Sequence, residues 1–211
     1  TIAYNINRKN TSISFFEMGK VYGKSGNGKY YESEQLAIYI SGKQNADGWR
    51  TKAQPADFFV AKGLATALFK LLGLPTGQWK TADPGQVNYI IDKKTFCSVE
   101  VIGTKKLQAF GIKQSVLYIQ FDLANLLTMY QSQQVVYQEV SKYPSVERDI
   151  ALVLPIATAY AAIEQSIAAV KLTALQQTSV FDIFESEKLG DQKKSVAINF
   201  VFVQFIIYDD A

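Results

Sequence analysis

Tyr143-Pro-Ser-Val-Glu-Arg-Asp-Ile-Ala-Leu-Val-Leu154 sets a proline-fixed turn and three consecutive charges directly against a run of aliphatic residues. Pro144 locks its own φ, and its ring pushes Tyr143 toward extended geometry. Ile150 to Leu154 then reads as a buried core strand of a layered α/β unit, with Glu147, Arg148 and Asp149 at its mouth. Further on, Ile156, Tyr160, Ile163, Ile167 and Val170 are spaced by fours and threes, which predicts one apolar helix face within a helical stretch Ile156 to Gln177. Phe181-Asp-Ile-Phe184 supplies a second strand. Lys194 to Val203 alternates cleanly, so Val196, Ile198, Phe200 and Phe202 share a face of a half-buried antiparallel strand. Strand, helix, strand, strand opens a βαββαβ arrangement. A full copy needs one more helix and strand, for which Gln204 to Ala211 leaves little room, so this half is expected to lack them.

Upstream, Ser14 to Tyr22 and Gln35 to Gly42 flank a Gly/Ser/Lys-rich turn and predict an antiparallel pair. Asp57 is placed to cap a helix running to about Leu72, with Gly73 as its stop and Pro75 beyond. Lys62, Thr66 and Lys70 mark its wet side, leaving Phe58, Ala61, Ala65, Leu68 and Leu72 for a buried one. Three further strands are expected near 87–91, 96–102 and 116–121, with Asp92-Lys-Lys94 and Gly103-Thr-Lys-Lys106 as solvated hairpin tips. The polar stretch Tyr130 to Gln134 reads as a linker, giving domains 1–137 and 138–211. Thr1 reads as a processing boundary, and the residues after it as leading toward a strand.

With 48% apolar and 13% aromatic residues in 211, the chain can bury a substantial core. No apolar run approaches the ~20 residues that span a bilayer, and the first residues lack a signal-peptide plan. The chain therefore reads as soluble and intracellular, with no membrane partner. It contains no histidine, which removes the commonest metal ligand and the usual general base near neutral pH. Its one cysteine, Cys97, excludes an internal disulfide and reads as a buried structural thiol. No metal site and no catalytic constellation are expected. Residues 1–137 carry 16 basic against 9 acidic side chains, and residues 138–211 carry 6 against 10. That imbalance argues against strong nucleic-acid binding by the second half.

Gly23-Lys-Ser-Gly-Asn-Gly-Lys29 fits the phosphate-loop spacing G-x-x-x-x-G-K. Tyr30, however, stands where the loop requires a compact Ser or Thr hydroxyl for magnesium. Lys29-Tyr-Tyr-Glu-Ser-Glu34 also lacks the apolar helix whose N-terminus would face the anion. A basic hairpin loop is the better reading.

The Tyr143 to Leu154 string, with Phe181-Asp-Ile-Phe184 and Lys193-Lys-Ser-Val-Ala197, resembles the ferredoxin-like anticodon-binding domain of bacterial phenylalanyl-tRNA synthetase beta subunits. Phe16-Glu-Met-Gly-Lys-Val-Tyr22, Ile40-Ser-Gly42 to Trp49, and Pro55-Ala-Asp-Phe-Phe-Val-Ala-Lys-Gly63 look, in that order, like the same subunit's catalytic-like domain. The resemblance implies an α+β chain: a class II synthetase-like, noncatalytic antiparallel sheet domain, then a shortened anticodon-binding domain. It implies a cytoplasmic α2β2 ligase, with a catalytic alpha subunit and tRNA(Phe) as partners, the latter bound weakly by this chain. ATP and magnesium would serve the holoenzyme, and no cofactor is expected here. With arginine at positions 8, 50 and 148 alone, the chain lacks the guanidinium set that class II sites use on ATP. The editing domain finds no match. The alternative is a stand-alone ferredoxin-like protein-interaction or small-ligand module.

Lys142, Arg148, Lys193 and Lys194 are the candidate RNA contacts, with Tyr143 and Phe184 as possible stacking surfaces. Arg148 is alternatively a partner of Glu147 or Asp149, and the two aromatics alternatively pack inward. Two outcomes follow from this reading of the residues. The chain alone is expected to give no phenylalanine-dependent ATP–pyrophosphate exchange above a no-protein control. Titration with ATP should show no saturable site, and micromolar binding abolished by Lys29→Ala would reinstate the phosphate loop.

Overall fold

The computed structural model describes residues 1–45, 47–132, 137, 141–186 and 189–203. The chain divides into two compact units, Thr1–Val135 and Val136–Ala211. Gln133, Gln134 and Gln204 to Ala211, on which the linker and shortened-domain expectations partly rest, lie outside the described residues.

Strands β1 (Ile13–Lys24), β2 (Tyr30–Ser41), β3 (Gln78–Asp83), β4 (Gln86–Ile91), β5 (Lys94–Val101) and β6 (Val116–Asp122) form an antiparallel sheet ordered β1-β2-β6-β5-β4-β3. Among the described residues four helices accompany it: α1 (Ile2–Asn7), α2 (Phe58–Leu71), α3 (Thr104–Ala109) and α4 (Leu123–Gln131). β6 lies mid-sheet, and its Leu117, Ile119 and Phe121 are almost fully buried. They meet α2, whose Ala61, Ala65 and Phe69 recur every four residues on one face. The two alanines let the helix backbone come close to the sheet. Phe69 then fills the gap, stacked on Tyr89 at 4.3 Å and edge-on to Phe121 at 5.7 Å. Asp57 caps this helix by accepting from the Val60 N–H at 3.0 Å, and Gly73 ends it at φ +65°. Asp122 closes β6 and caps α4 through the Asn125 N–H at 2.9 Å.

The N-terminus is helical where a strand was expected. Ile2, Tyr4 and Ile6 alternate as a strand would, yet Ile2 and Ile6 also lie one helical turn apart. Packing decides, since Ile2, Ala3 and Ile6 cover Leu107, Ile112 and Val116. Gly103 to Lys106 is no hairpin tip either. Its lysines lie on α3, which turns inward because Leu107 and Ile112 are buried. Asp92-Lys93 is a true two-residue hairpin loop, with φ +47° and +67° as the strand twist requires. Tyr130 and Gln131 belong to α4 and not to a linker.

The second unit runs β7 (Val146–Pro155), α5 (Tyr160–Val170), β8 (Leu175–Glu185) and β9 (Lys193–Phe202). Its sheet order is β7-β9-β8, so β9 inserts antiparallel between two strands joined by the helical crossover. Tyr160, Ile163 and Ile167 cover Leu152, Leu154, Val180, Val196, Ile198 and Phe200. The helix is shorter than Ile156 to Gln177: Lys171 takes the left-handed conformation at φ +53°, and Leu175 onward joins β8. Nor is β7 a core strand. It has one ladder partner among the described residues, and Ile150 and Val153 are 47% and 53% exposed. Glu147, Arg148 and Asp149 lie within the strand and not at its mouth.

Phe69→Ala should cost about 3–5 kcal/mol of stability, read as a lowered denaturant midpoint. Phe59→Ala, at a 74% exposed position of the same helix, should stay within about 0.5 kcal/mol.

Candidate nucleic-acid interface

With α5 on one side of the second sheet, alternation assigns the other side to odd-numbered residues of β7 and β9. Asp149 pairs with Asn199, which pairs with Ser179 on β8. One step along lie Glu147, Val201 and Gln177. The Asn199 amide donates to Asp149 Oδ1 at 2.8 Å and to Glu147 Oε2 at 3.3 Å, fixing a carboxylate–amide trio on the face opposite α5, which is uncovered among the described residues. Toward the other end Phe184 is paired with Ser195, two residues from Lys193 on the same face of β9. Phe184 is 54% exposed and Lys193 is exposed. A β-bulge between Val180 and Asp182 resets the alternation of β8 and brings Phe184 to this face.

The six sequence candidates therefore separate. Lys193 and Phe184 share the open face. Arg148 lies opposite Phe200 on the helix side, and Lys194 lies opposite Leu154 on that side as well, six residues from Phe200 along β9. At about 3.3 Å per residue that is roughly 20 Å from Arg148. The Arg148 guanidinium donates to the Glu147 main-chain carbonyl at 2.8 Å, while the Glu147 and Asp149 carboxylates engage Asn199 on the opposite face. Lys142 and Tyr143 precede β7; Lys142 is exposed and Tyr143 is 44% exposed. Sequence reasoning missed Asn199 and the acidic pair as one group. Their odd-numbered alternation opposite Ile198 and Phe200 was the available signal.

This face offers three kinds of contact. A flat phenyl ring can stack on an unpaired base, carboxylates and a carboxamide match base edges, and an ammonium suits phosphate. Carboxylates repel phosphate, so a bound strand would have to run its backbone past Lys193 and present bases to the trio.

The face of the first sheet away from α2 differs. Phe15, Tyr39, Tyr118 and Glu100 form one cross-strand row, and the Tyr118 hydroxyl donates to Gln120 Oε1 at 3.1 Å. Gln120 in turn donates to Gln35 Oε1 at 2.7 Å. Burial, and after it the neighbouring Tyr39 and Glu100, pushes the Tyr118 phenol up to about 12. This face carries the carboxylates of Glu17 and Glu100, while Arg8 is folded over the Tyr4 ring at 3.4 Å and Arg50 sits in an exposed bend. It does not fit a nucleoside triphosphate with its magnesium. Gly23 to Lys29 is the turn of the β1–β2 hairpin, closed by Ser25 and Lys29, and not a strand-to-helix cradle.

The sheets and helices define an α+β chain that joins a six-stranded antiparallel sheet domain to a smaller βαββ unit. Residues 141–205 match the ferredoxin-fold anticodon binding domain, and residues 1–123 match the phenylalanyl tRNA synthetase beta chain CLM domain. The chain belongs to the phenylalanyl-tRNA synthetase beta chain family. Similar curated proteins include the phenylalanine–tRNA ligase beta subunit of Streptococcus thermophilus strain CNRZ 1066, 32% identical over 211 residues. Those of Listeria monocytogenes serovar 1/2a and Bacteroides fragilis strain ATCC 25285 are 32% and 29% identical. These alignments take in 95–96% of this chain but 26% of each relative. Pyrrolysyl-tRNA synthetase from Desulfitobacterium hafniense superposes on 63% of the chain and 48% of its own, at 14% identity and TM-score 0.47, a likeness too slight to bear on function.

The raised Tyr118 value carries a sign. A phenol that holds its proton longer when folded favours the fold fully below the ordinary tyrosine value near 10, and that contribution is lost as pH climbs toward 12. Thermal melts between pH 9 and about 11.5 should therefore fall more steeply in the parent chain than in Tyr118→Phe.

Proposed function

We propose that the chain is a noncatalytic portion of a phenylalanine–tRNA ligase beta subunit, supporting a catalytic alpha subunit and helping to hold tRNA(Phe) during ATP-dependent aminoacylation. The observation that carries the reading is the coincidence of the anticodon-binding match over 141–205 with an uncovered sheet face bearing Phe184, Lys193 and the Asn199 trio. In this reading Phe184 stacks a base, Lys193 neutralises phosphate, and Asn199 with Asp149 meets a base edge. Lys142, Arg148, Lys194 and Tyr143 serve at the margins. Adenylation with ATP and magnesium belongs to the alpha subunit, and the assembly works in the cytoplasm.

Support for the scaffolding role comes from β1, which is an edge strand among the described residues. Phe16, Met18 and Tyr22 on one of its faces are 71%, 65% and 74% exposed. Exposed apolar side chains along an edge strand are what a partner subunit covers. The chain should co-purify with a catalytic alpha subunit, and Phe16→Asp with Met18→Asp should sharply reduce that recovery. Undiminished recovery would remove β1 from the interface.

RNA binding is expected to be weak and salt-sensitive, since the second unit is net acidic. Arg148→Ala, Lys193→Ala and Lys194→Ala together should weaken it and flatten its salt dependence. Because the open face carries Lys193 alone of the three, Lys193→Ala should by itself lower the salt slope by about one phosphate contact. Asn199→Ala should relax base preference at nearly unchanged slope. Tight tRNA binding indifferent to the triple change would sink the assignment.

A further inference from the structure

Three loops converge at one end of the first sheet, where β1 begins, β2 ends and β6 begins: Ile13 pairs with Ser41, and Ser41 with Val116. Hydrogen bonds hold them side by side. Ser41 Oγ donates to the Ser115 carbonyl at 2.6 Å, and the Gln114 amide donates to the Thr11 carbonyl at 2.8 Å and to Ser41 Oγ at 2.7 Å. The Lys43 main-chain N–H donates to Ser12 Oγ at 3.2 Å. The first loop, residues 8–12, brings Arg8 and Lys9, and the second, residues 42–57, brings Lys43, Arg50 and Lys52. The third, residues 102–115, adds Lys105, Lys106 and Lys113. Against these stand Asp47 and Asp57, both engaged: Asp47 with the Lys43 ammonium and the Ala53 N–H, Asp57 in capping α2. Eight basic against two acidic side chains leaves six of the seven surplus positive charges of residues 1–137 in these loops. All eight are exposed, and Lys43 alone of them has an ion-pair partner among the described residues.

The middle loop also presents an aromatic ring. Its own hydrogen bonds close it: the Gln44 N–H donates to the Gln54 carbonyl at 2.9 Å, the Gly48 N–H to the Thr51 carbonyl at 3.0 Å, and the Ala53 N–H to Asp47 Oδ1 at 2.9 Å. Trp49 stands out from this loop 95% exposed, and it meets no other ring and no cation among the described residues. An indole so placed adds almost nothing to the core. Arg50 and Lys52 follow it closely in the loop. The combination restricts the partner. An acidic peptide would answer the cations and leave the indole wet, whereas an apolar protein surface would cover the indole and strand desolvated charges beside it. A nucleic-acid strand answers both, with phosphates for the cations and the flat face of an unpaired base for the indole. We propose that this corner of the first unit is an RNA-binding surface in its own right, taking a single-stranded segment whose backbone follows the three loops and whose base stacks on Trp49. It does not rest on the Phe184 and Lys193 reading of the second unit, so either can fail alone.

The test is fluorescence anisotropy of a labelled oligouridylate of about 15 nucleotides, titrated with the full chain. Every protein compared carries Phe184→Ala and Lys193→Ala, which remove the second-unit contacts. Binding should saturate in about 20 mM salt with a midpoint below about 100 µM, and weaken steeply as salt rises. Arg50→Gln, Lys52→Gln and Lys113→Gln together should weaken it about tenfold or more and lower the salt slope by about two. Trp49→Ala should weaken it at least about fivefold at an unchanged slope, and should leave the affinity for heparin, a polyanion without bases, as it was. These four side chains are exposed, and an unchanged circular dichroism spectrum and melting curve would show that the fold survives. No saturation under these conditions would overturn the proposal. So would RNA binding that either the triple change or Trp49→Ala leaves unaltered, or a Trp49→Ala loss as large for heparin as for RNA.

Discussion

The packing of α2 against the middle of the first sheet is the contact on which that unit depends. Phe69 wedges between Tyr89 of β4 and Phe121 of β6, so one side chain ties the helix to strands on both sides of β5. Ala61 and Ala65 make the approach close enough for that ring to touch both. Each large side chain buried here contributes about 1.5–3 kcal/mol relative to exposure. The contact therefore fixes which face of every strand is inside, and hence which face stays open.

In the second unit the helix covers one side of an antiparallel sheet, whereas in the first α2 covers one side and α1 with α3 cover one end of the other. The two open faces carry different chemistry because their odd and even positions were filled differently. In the second unit an amide holds two carboxylates at one end of the face, and an exposed phenyl ring and an ammonium group lie toward the other. In the first, stacked aromatics run into an amide relay between Gln120 and Gln35, with α1 and α3 enclosing one end. Neither arrangement offers the guanidinium groups that hold a nucleotide triphosphate.

Local residue order made much of this legible in advance. Asp57 with Gly73 bracketed α2, and the alternation of Val196, Ile198 and Phe200 identified β9 and its covered face. Short elements were harder, because six residues supply too few positions to separate a period of 3.6 from one of 2. Ile2, Tyr4 and Ile6 satisfy both, and Leu107 alone reveals that Thr104 to Ala109 turns inward. The α5 boundary was misplaced for a related reason: Val170 continues the helical spacing, but the left-handed Lys171 interrupts the backbone, and β8 takes the chain from Leu175.

The sequence by itself determined the strand-forming runs other than β3 and the start of β8, the Asp57 cap, the buried cysteine and a turn at Asp92-Lys-Lys94, because each depends on neighbours a few residues away. It also determined that no histidine chemistry is available. Tertiary structure decided that β7 is an edge strand among the described residues, since an aliphatic run reads the same whether one side or both are paired. It decided equally that Lys193 and Phe184 share a face while Arg148 takes the other, and that Gln114 reaches Thr11 although 103 positions separate them. Strand register and a single bulge make those assignments, and both arise from pairing between distant segments that no local pattern encodes.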